Sequence, residues 1–426
     1  MRLTSIKGSF VKRFFQHTRG SWHTTLLIMF FAQSMVSVGF SSVFPFLPLY
    51  VRDLGSSTGL SVELLSGLVF SAQSVTMMLA SPFWGQLADR VGRKMMVERA
   101  IFGGSVLLLI MAFVRDAEQL VLMRAIQGLI TGVHSASYAL VASQAPREQT
   151  GYAMGLLQVG AGAGVALGPM VGGAVADMYG YRAAFYVTSA MMFLAGLLVL
   201  VGVHEKFEPV PASKRVSFGK QWREIFSLPG VPVAYSLRFL TQLGRMTVVP
   251  LLPVFILSLM PDGARVNTFT GLVTGASSAM MTISAVGLGK LGDRIGHRKI
   301  VVACGLLAAM VYLPQGAVQA AWQLLVLQLV LGLAMGGLTP AISALLANYT
   351  PHGWEGAVYG LDSSIMSAAR AVAPMVGSAI AMGISVRAAF PLSAVLFFVL
   401  TTLALTSLPR MLPAQRQESE EATPAD

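Results

Sequence analysis

The stretch GQLADRVGRK, residues 85–94, returns 204 positions later as GKLGDRIGHRK, residues 289–299. Each copy lies between long apolar runs and keeps a Gly, an Asp-Arg pair, a second Gly and a basic end. A polar cassette repeated at that distance divides the chain into two similar halves. The same register pairs FPFLPLY (44–50) with VPLLPVF (249–255), SGLVFSAQS (66–74) with TGLVTGASS (270–278), and RAAF (182–185) with RAAF (387–390). Pro45 and Pro48 thus fall over Pro250 and Pro253. A proline removes a helix hydrogen bond, so both segments are expected to bend at equivalent places.

Of 426 residues, 54% are hydrophobic and 12% charged, with mean hydropathy +0.67. Soluble domains carry about 25% charged residues, so this chain is solvated mainly by lipid. Twelve apolar stretches can be counted, near 24–50, 61–84, 95–114, 119–143, 151–176, 183–203, 231–259, 268–288, 300–319, 322–347, 356–383 and 388–408. Several exceed the ~20 residues that cross a bilayer core and must tilt, bend or project. Backbone groups in lipid need partners within their own segment, which predicts helices. The expected fold is an all-α integral membrane protein of twelve spans in two pseudo-symmetric six-helix bundles. The expected units are a basic tail (1–22), a first bundle (23–203), a linker (204–229), a second bundle (230–408) and an acidic C-terminal tail (409–426).

The formal charge is +11, and its distribution decides what it means. With both ends placed in the cytoplasm, 21 of the 30 Lys and Arg lie on the inner side. Five lie outside (Arg52, Arg115, Arg182, Arg265, Arg387) and four lie within spans (Arg124, Arg238, Arg245, Arg370). That asymmetry follows the positive-inside rule and predicts the orientation; nucleic-acid binding has no motif to support it. The single Cys304 excludes an intramolecular disulfide and a cysteine-clustered metal site. Neither metal nor cofactor is expected.

Six plus six spans, an inner linker and paired cassettes resemble the major facilitator superfamily, an architecture already described as nested repeats. Within it, FPFLPLYV, SPFWGQLADRVGRK and LGKLGDRIG are similar to the twelve-span drug:proton antiporters. The resemblance covers about residues 20–410. It implies alternating access, a midplane substrate cavity lined by spans 1, 4, 7 and 10, and export of small amphiphilic compounds in exchange for protons. The expected setting is the inner membrane of a bacterium, with lipids and substrate as partners and the chain a monomer.

In the first cassette, Gly85 and Gly92 are expected to permit a tight turn between spans 2 and 3. Asp89 can approach the amino terminus of span 11 near Gly356, where the helix dipole favours negative charge. Arg90, Arg93 and Lys94 stay at the headgroups. In the second cassette (Gly289, Asp293, Arg294, Gly296), Asp293 is expected to face the start of span 5 near Gly151. These contacts would form a cytoplasmic gate; the alternative is an orientation signal with no gating role.

LVLMRAIQGLITG (120–132) places Arg124 inside span 4. An intramembrane arginine is costly and by default marks a pathway or a relay; the resemblance implies a part in shaping the proton site. Its repeat partner in span 10 is Gln328, so only one half keeps the charge. GVALGPMVGG (164–173) matches the family's antiporter motif GxxxGPxxGG. Gly164, Gly168, Gly172 and Gly173 leave a smooth face for a close neighbour, and Pro169 permits bending. Span 1 contains no acid between Thr24 and Leu49, and the only acid well inside a span is Asp362. Asp362 is therefore the proton-coupling candidate or else a structural ion-pair member, with His134 as another titrating group. Gln33, Ser37, Gln127, Gln242, Arg245 and Gln328 are polar inside apolar helices and are the expected cavity residues. An arginine of span 7 in that cavity would favour an anionic or zwitterionic substrate.

A carrier of one defined metabolite, a sugar or an anionic nutrient, shares this scaffold. An enzyme is disfavoured, since HExxH and Walker motifs are absent. A non-transporting receptor or scaffold would leave Arg124 and the glycines of span 5 without a purpose.

Overall fold

The computed structural model describes residues 22–130, 132–146, 149–205, 225–261, 264–350 and 355–408. The expected tails and most of the linker lie outside the described residues, as do the side chains of Asp89 and Arg90 and the surroundings of Gly85, Gly151 and Gly356. Twelve helical spans follow in the order read from the sequence. Span 1 comprises Trp22–Ser42 and Leu47–Leu54, span 2 Val62–Val91, span 3 Arg93–Met111, and span 4 Ala117–Ile130 and Val133–Gln144. Span 5 is Thr150–Tyr179, span 6 Tyr181–Gly202, and span 7 Val231–Val248 and Leu252–Leu259. Spans 8 to 12 are Val266–Ile295, His297–Gln315, Ala321–Tyr349, Glu355–Gly383 and Ala389–Ser407.

Among the described residues, nine helices are long and apolar enough to cross a membrane, or ten with the bent pair of span 7. Spans 3 and 4 miss that test for identifiable reasons. Span 3 opens with Arg93, Lys94, Glu98 and Arg99 in 19 residues. Span 4 is not the single run expected over 119–143. It breaks at Gly132, whose φ of +132° lies in a region that L side chains rarely adopt. Its counterpart, span 10, runs unbroken for 29 residues.

The prolines act where the repeat places them. Pro48 and Pro253 each stand in the first turn of a short helix that restarts the span, and the span 7 pieces meet at 40°. Span 5 instead continues as one helix through Pro169.

Each half has its own core. Buried residues from Leu26 to Val203 form one apolar cluster. A second runs from Ile225 to Leu408 and takes in one residue of the first half, Leu49. The pseudo-symmetry extends to side-chain pairs: the rings of Tyr50 and Phe185 lie 5.4 Å apart and those of Phe255 and Phe390 4.9 Å apart. It also fixes the helix ends. Lys94 Nζ donates to Leu200 O at 3.0 Å, and the equivalent Arg298 Nε donates to Ala404 O at 3.3 Å. These bonds tie span 3 to span 6 and span 9 to span 12, each at the carbonyl-rich end of a helix where a cation is favoured.

Candidate functional site

The two halves meet mainly along spans 5 and 8 and along spans 2 and 11. On the first seam, a Cβ at Gly173 would collide with the Asn267 backbone and one at Gly271 with Pro169 O. Further along, a Cβ at Gly162 would sit 3.5 Å from Thr282, an ordinary contact. Seven residues on, two turns along the same faces, Gly155 and Gly289 meet open space. The helices touch at the end away from the cassettes and diverge toward the cassette end. Spans 2 and 11 repeat the pattern: Gly67 packs on Ser378 and the Pro374 backbone, whereas Gly360, near the cassette end, has nothing within 4 Å.

The far end carries a latch that sequence reading did not single out. Asp177, at the last turn of span 5, accepts from Asn267 N at 3.3 Å, Asn267 Nδ2 at 2.7 Å and Thr268 N at 2.6 Å. One carboxylate of the first half thus caps the amino terminus of span 8 in the second, where unpaired N–H groups and the helix dipole both favour an anion. The repeat-related position holds Met382, whose sulfur accepts from Ser61 Oγ at the start of span 2, at 2.9 Å. An acid at the end of an apolar helix was the available signal.

The cassettes look different in three dimensions from their expected roles. Only the second glycine of each forms the turn: Gly92 and Gly296 have φ of +107° and +94°. Gly85 and Gly289 lie inside helices, so they do not shape the turn. Lys94 is engaged within its own half, bonding Leu200 O and pairing with Glu98 at 3.3 Å. The exposed Asp293 carboxylate meets His297 Nε2 at 3.2 Å; its expected partner, the start of span 5 near Gly151, lies outside the residues whose surroundings are described. Arg294 is exposed. Glu205, which follows span 6, accepts from the backbone N–H groups of Arg93 at 3.1 Å and Lys94 at 2.8 Å and caps span 3.

Within the membrane-spanning region, Arg124 is 2% exposed. Its Nε donates to Val69 O of span 2 at 3.3 Å and its Nη1 to Gln127 Oε1 at 2.8 Å. Asp362 forms an ion pair with Arg238 of span 7 at 3.0 Å; the same guanidinium donates to Ser343 Oγ and Thr339 O of span 10. His134 contacts Gln33 of span 1. The three proton-coupling candidates therefore have separate partners and do not form one cluster.

The expected cavity residues also divide. Arg245 and Gln328 line one cavity of about 90 Å³ together with Thr274, Ser277, Ser278 and Tyr312. Gln328 Nε2 also donates to Gln315 Oε1 at 3.0 Å. Gln33, Gln127 and Gln242 are buried. Ser37 does not face open space: it is packed where span 1 crosses Gly164. Three glycines of the span 5 motif account for that crossing. A Cβ at Gly164, Gly168 or Gly172 would collide with Ser34, Ser37, Val38, Ser41 or Ser42 of span 1, and Ser41 Oγ donates to Gly164 O at 3.0 Å. Gly173 is the fourth and faces span 8. Arg370 of span 11, read from the sequence as one of the four arginines within spans, was not among the expected site residues; it lies in the electrostatic neighbourhood of Arg245 and His134.

A family model described as Major Facilitator Superfamily matches residues 29–260 and 234–425. The chain belongs to that superfamily. It is accordingly a multi-pass membrane transporter. Multidrug resistance protein MdtG of Enterobacter lignolyticus is 34% identical over 410 residues, covering 95% of this chain and 97% of the relative. MdtG of Salmonella typhimurium is 34% identical over 378 residues, covering 88% and 93%. Among solved structures, a bacterial homologue of the human lysosomal transporter Spinster, inward-facing and occupied, superposes with TM-score 0.76 at 13% identity, covering 94% of this chain and 98% of that one. The human organic anion transporter MFSD10 gives TM-score 0.63 at 20% identity, covering 90% and 99%. At these identities the two structures speak for the fold.

Proposed function

We propose that this superfamily member is a multidrug efflux transporter that exports small amphiphilic compounds by alternating access. The observation that carries this reading is the unequal seam between halves: sealed at the far end and parted at the cassette end, around a centre that holds buried arginines. Likeness to MdtG over most of both chains supports the drug-export assignment. The moving units are the bundles at 23–203 and 230–408, joined by the linker at 204–229, with the tails at 1–22 and 409–426. Both termini and both cassettes lie in the cytoplasm of a bacterial inner-membrane protein that works as a monomer among lipids. The conformation described above is then the inward-open one.

Exchange against protons runs through the Asp362–Arg238 pair of the second half, with Arg124 and His134 as further coupling candidates in the first half. Protonating Asp362 would release Arg238 from its anion, and a buried cation without a partner is costly enough to shift the packing of spans 7, 10 and 11. Substrate and proton need only favour different states to be coupled. The cassette acids Asp89 and Asp293, with the basic residues beside them, form the gate that closes the cytoplasmic side in the opposite state. The exposed Asp293 carboxylate, which meets His297, is accessible for that role.

The test is reconstitution into liposomes with an imposed pH gradient, screening cationic, neutral and anionic dyes. Gradient-dependent accumulation of several unrelated dyes is expected. Transport of one metabolite, with competition only from its close analogues, would replace this reading with a dedicated carrier.

A further inference from the structure

The break in span 4 is a departure from the repeat that the exporter reading does not use, and its cause lies outside span 4. The glycine at the break is common to both halves, since Gly132 falls over Gly336 in the 204-residue register. Yet span 10 runs on through Gly336, while span 4 stops at Ile130 and restarts at Val133. A glycine permits a break without requiring one. Three contacts supply the requirement in the first half. The Trp84 indole N–H donates to Leu129 O at 2.6 Å, the carbonyl that the Val133 N–H would take in a continuous helix. The Arg99 guanidinium of span 3 lies over the Trp84 ring, 3.3 Å from its centre, and its buried Nε and Nη1 make no hydrogen bond among the described residues. One turn along the same face of span 3, Ile130 fills the notch at Gly103, where a Cβ would collide with it. In the second half, Leu288, Ala303 and Leu307 hold the positions of Trp84, Arg99 and Gly103. None of them can donate from its side chain or carry a charge, and Leu307 brings a side chain where Gly103 has none.

The break also separates the two coupling candidates of the first half. Arg124 stands on the piece before it. His134, which contacts Gln33 of span 1, stands on the piece after it. Trp84 immediately precedes the first cassette, so a displacement of the cassette carries the indole with it. We propose that Trp84, braced by Arg99, is a positioning residue of the exporter. It holds span 4 broken while the cassette end is open. When that end closes it gives Leu129 O back to the Val133 N–H, and the His134 piece swings relative to Arg124. The assignment rests on the exporter reading for its two states and adds the residue that links the cassette to span 4.

Spin labels at Leu122 and Ala142, one exposed position on each piece, read the break in nanodiscs without any need for transport. Twenty residues of continuous helix would set them about 30 Å apart. The unaltered chain should show two separations whose proportions change with pH or an exported dye, one of them near that value. Trp84→Phe keeps a ring beneath Arg99 and removes the N–H. It should gather nearly the whole population at the continuous-helix separation. One fixed separation in the unaltered chain under every condition overturns the proposal. So does a Trp84→Phe chain with the unaltered distribution and an unchanged melting temperature. Vesicle transport gives the second readout: Trp84→Phe should lower the initial rate about tenfold with the KM for dye held within about twofold. Arg99→Gln should lower it by a smaller factor, since a cation over an exposed ring contributes less than a donor to a helix end. A rate that falls only in step with the amount of folded protein removes the positioning role. A chain that exports no dye yet straightens in Trp84→Phe removes the exporter reading and leaves the clamp on span 4.

Discussion

The two halves share a fold and differ in where they place charge. At one repeat position span 4 carries Arg124 and span 10 carries Gln328. At another, span 5 ends in Asp177, which grips span 8 through three hydrogen bonds, and span 11 presents the sulfur of Met382 to Ser61. Span 4 breaks at Gly132 while span 10 runs straight. Positions that only hold the scaffold keep their partners across the repeat, as Lys94 with Leu200 O and Arg298 with Ala404 O do. Outside the paired cassettes, symmetry in this molecule therefore marks framework, and its loss marks the places assigned to coupling and latching.

The largest effects should come from the asymmetric arginine. Arg124→Ala should abolish energised efflux while the protein still inserts, whereas Gln328→Ala should leave a substantial fraction of it; vesicle transport under a fixed pH gradient compares the two. Equal losses would dissolve the distinction between the halves. Asp362→Asn should come next, with substrate movement continuing but no longer following the pH gradient. Combining it with Arg238→Gln should recover melting temperature lost in the single variant, because the unpaired buried cation is then gone.

The latch is expected to matter less. Hydrogen bonds to a charged group contribute about 1.5–3 kcal/mol, and about 1.4 kcal/mol is a factor of ten in an equilibrium. Asp177→Asn should therefore move the population on the order of tenfold or more toward far-end opening, read as faster labelling of a cysteine at Ser378, which is buried against Gly67 across the second seam. Met382→Ala should change that labelling little. The smallest test concerns packing. A Cβ at Gly172 would collide with Ser42, while one at Gly155 meets open space. Gly172→Ala should cost about 1–3 kcal/mol as an overpacked substitution, seen as a lower melting temperature, and Gly155→Ala should cost nothing comparable.

Much of the fold was legible in the sequence because it is written in local chemistry. Apolar length gives the spans, the prolines give the breaks in spans 1 and 7, and the 204-residue register gives the two bundles. The break at Gly132 was hidden inside an apolar run that looked continuous. The glycine motif of span 5 was legible as a smooth face, though not as a seat for span 1 with only Gly173 turned to the other half. The site was less legible, since its pairings join residues more than a hundred positions apart, as Arg238 and Asp362 are. Backbone partners leave no trace at all: nothing in the sequence marks Val69 O as the acceptor for Arg124 or Leu200 O as that for Lys94. Asp177 and Arg370 were visible as residue types, but their importance comes from the neighbouring half.

The central claim is that the bundles rock about a shared centre, opening one end as the other closes. Spin labels at Tyr152 and Lys290 report the cassette end, and labels at Ser57 and Ile384 report the far end. Interspin distances should be measured at low and high pH, with and without an exported dye. The cassette-end distance should shorten as the far-end distance lengthens, with the two populations changing in proportion. Both distances staying fixed, or both lengthening together, would contradict the account.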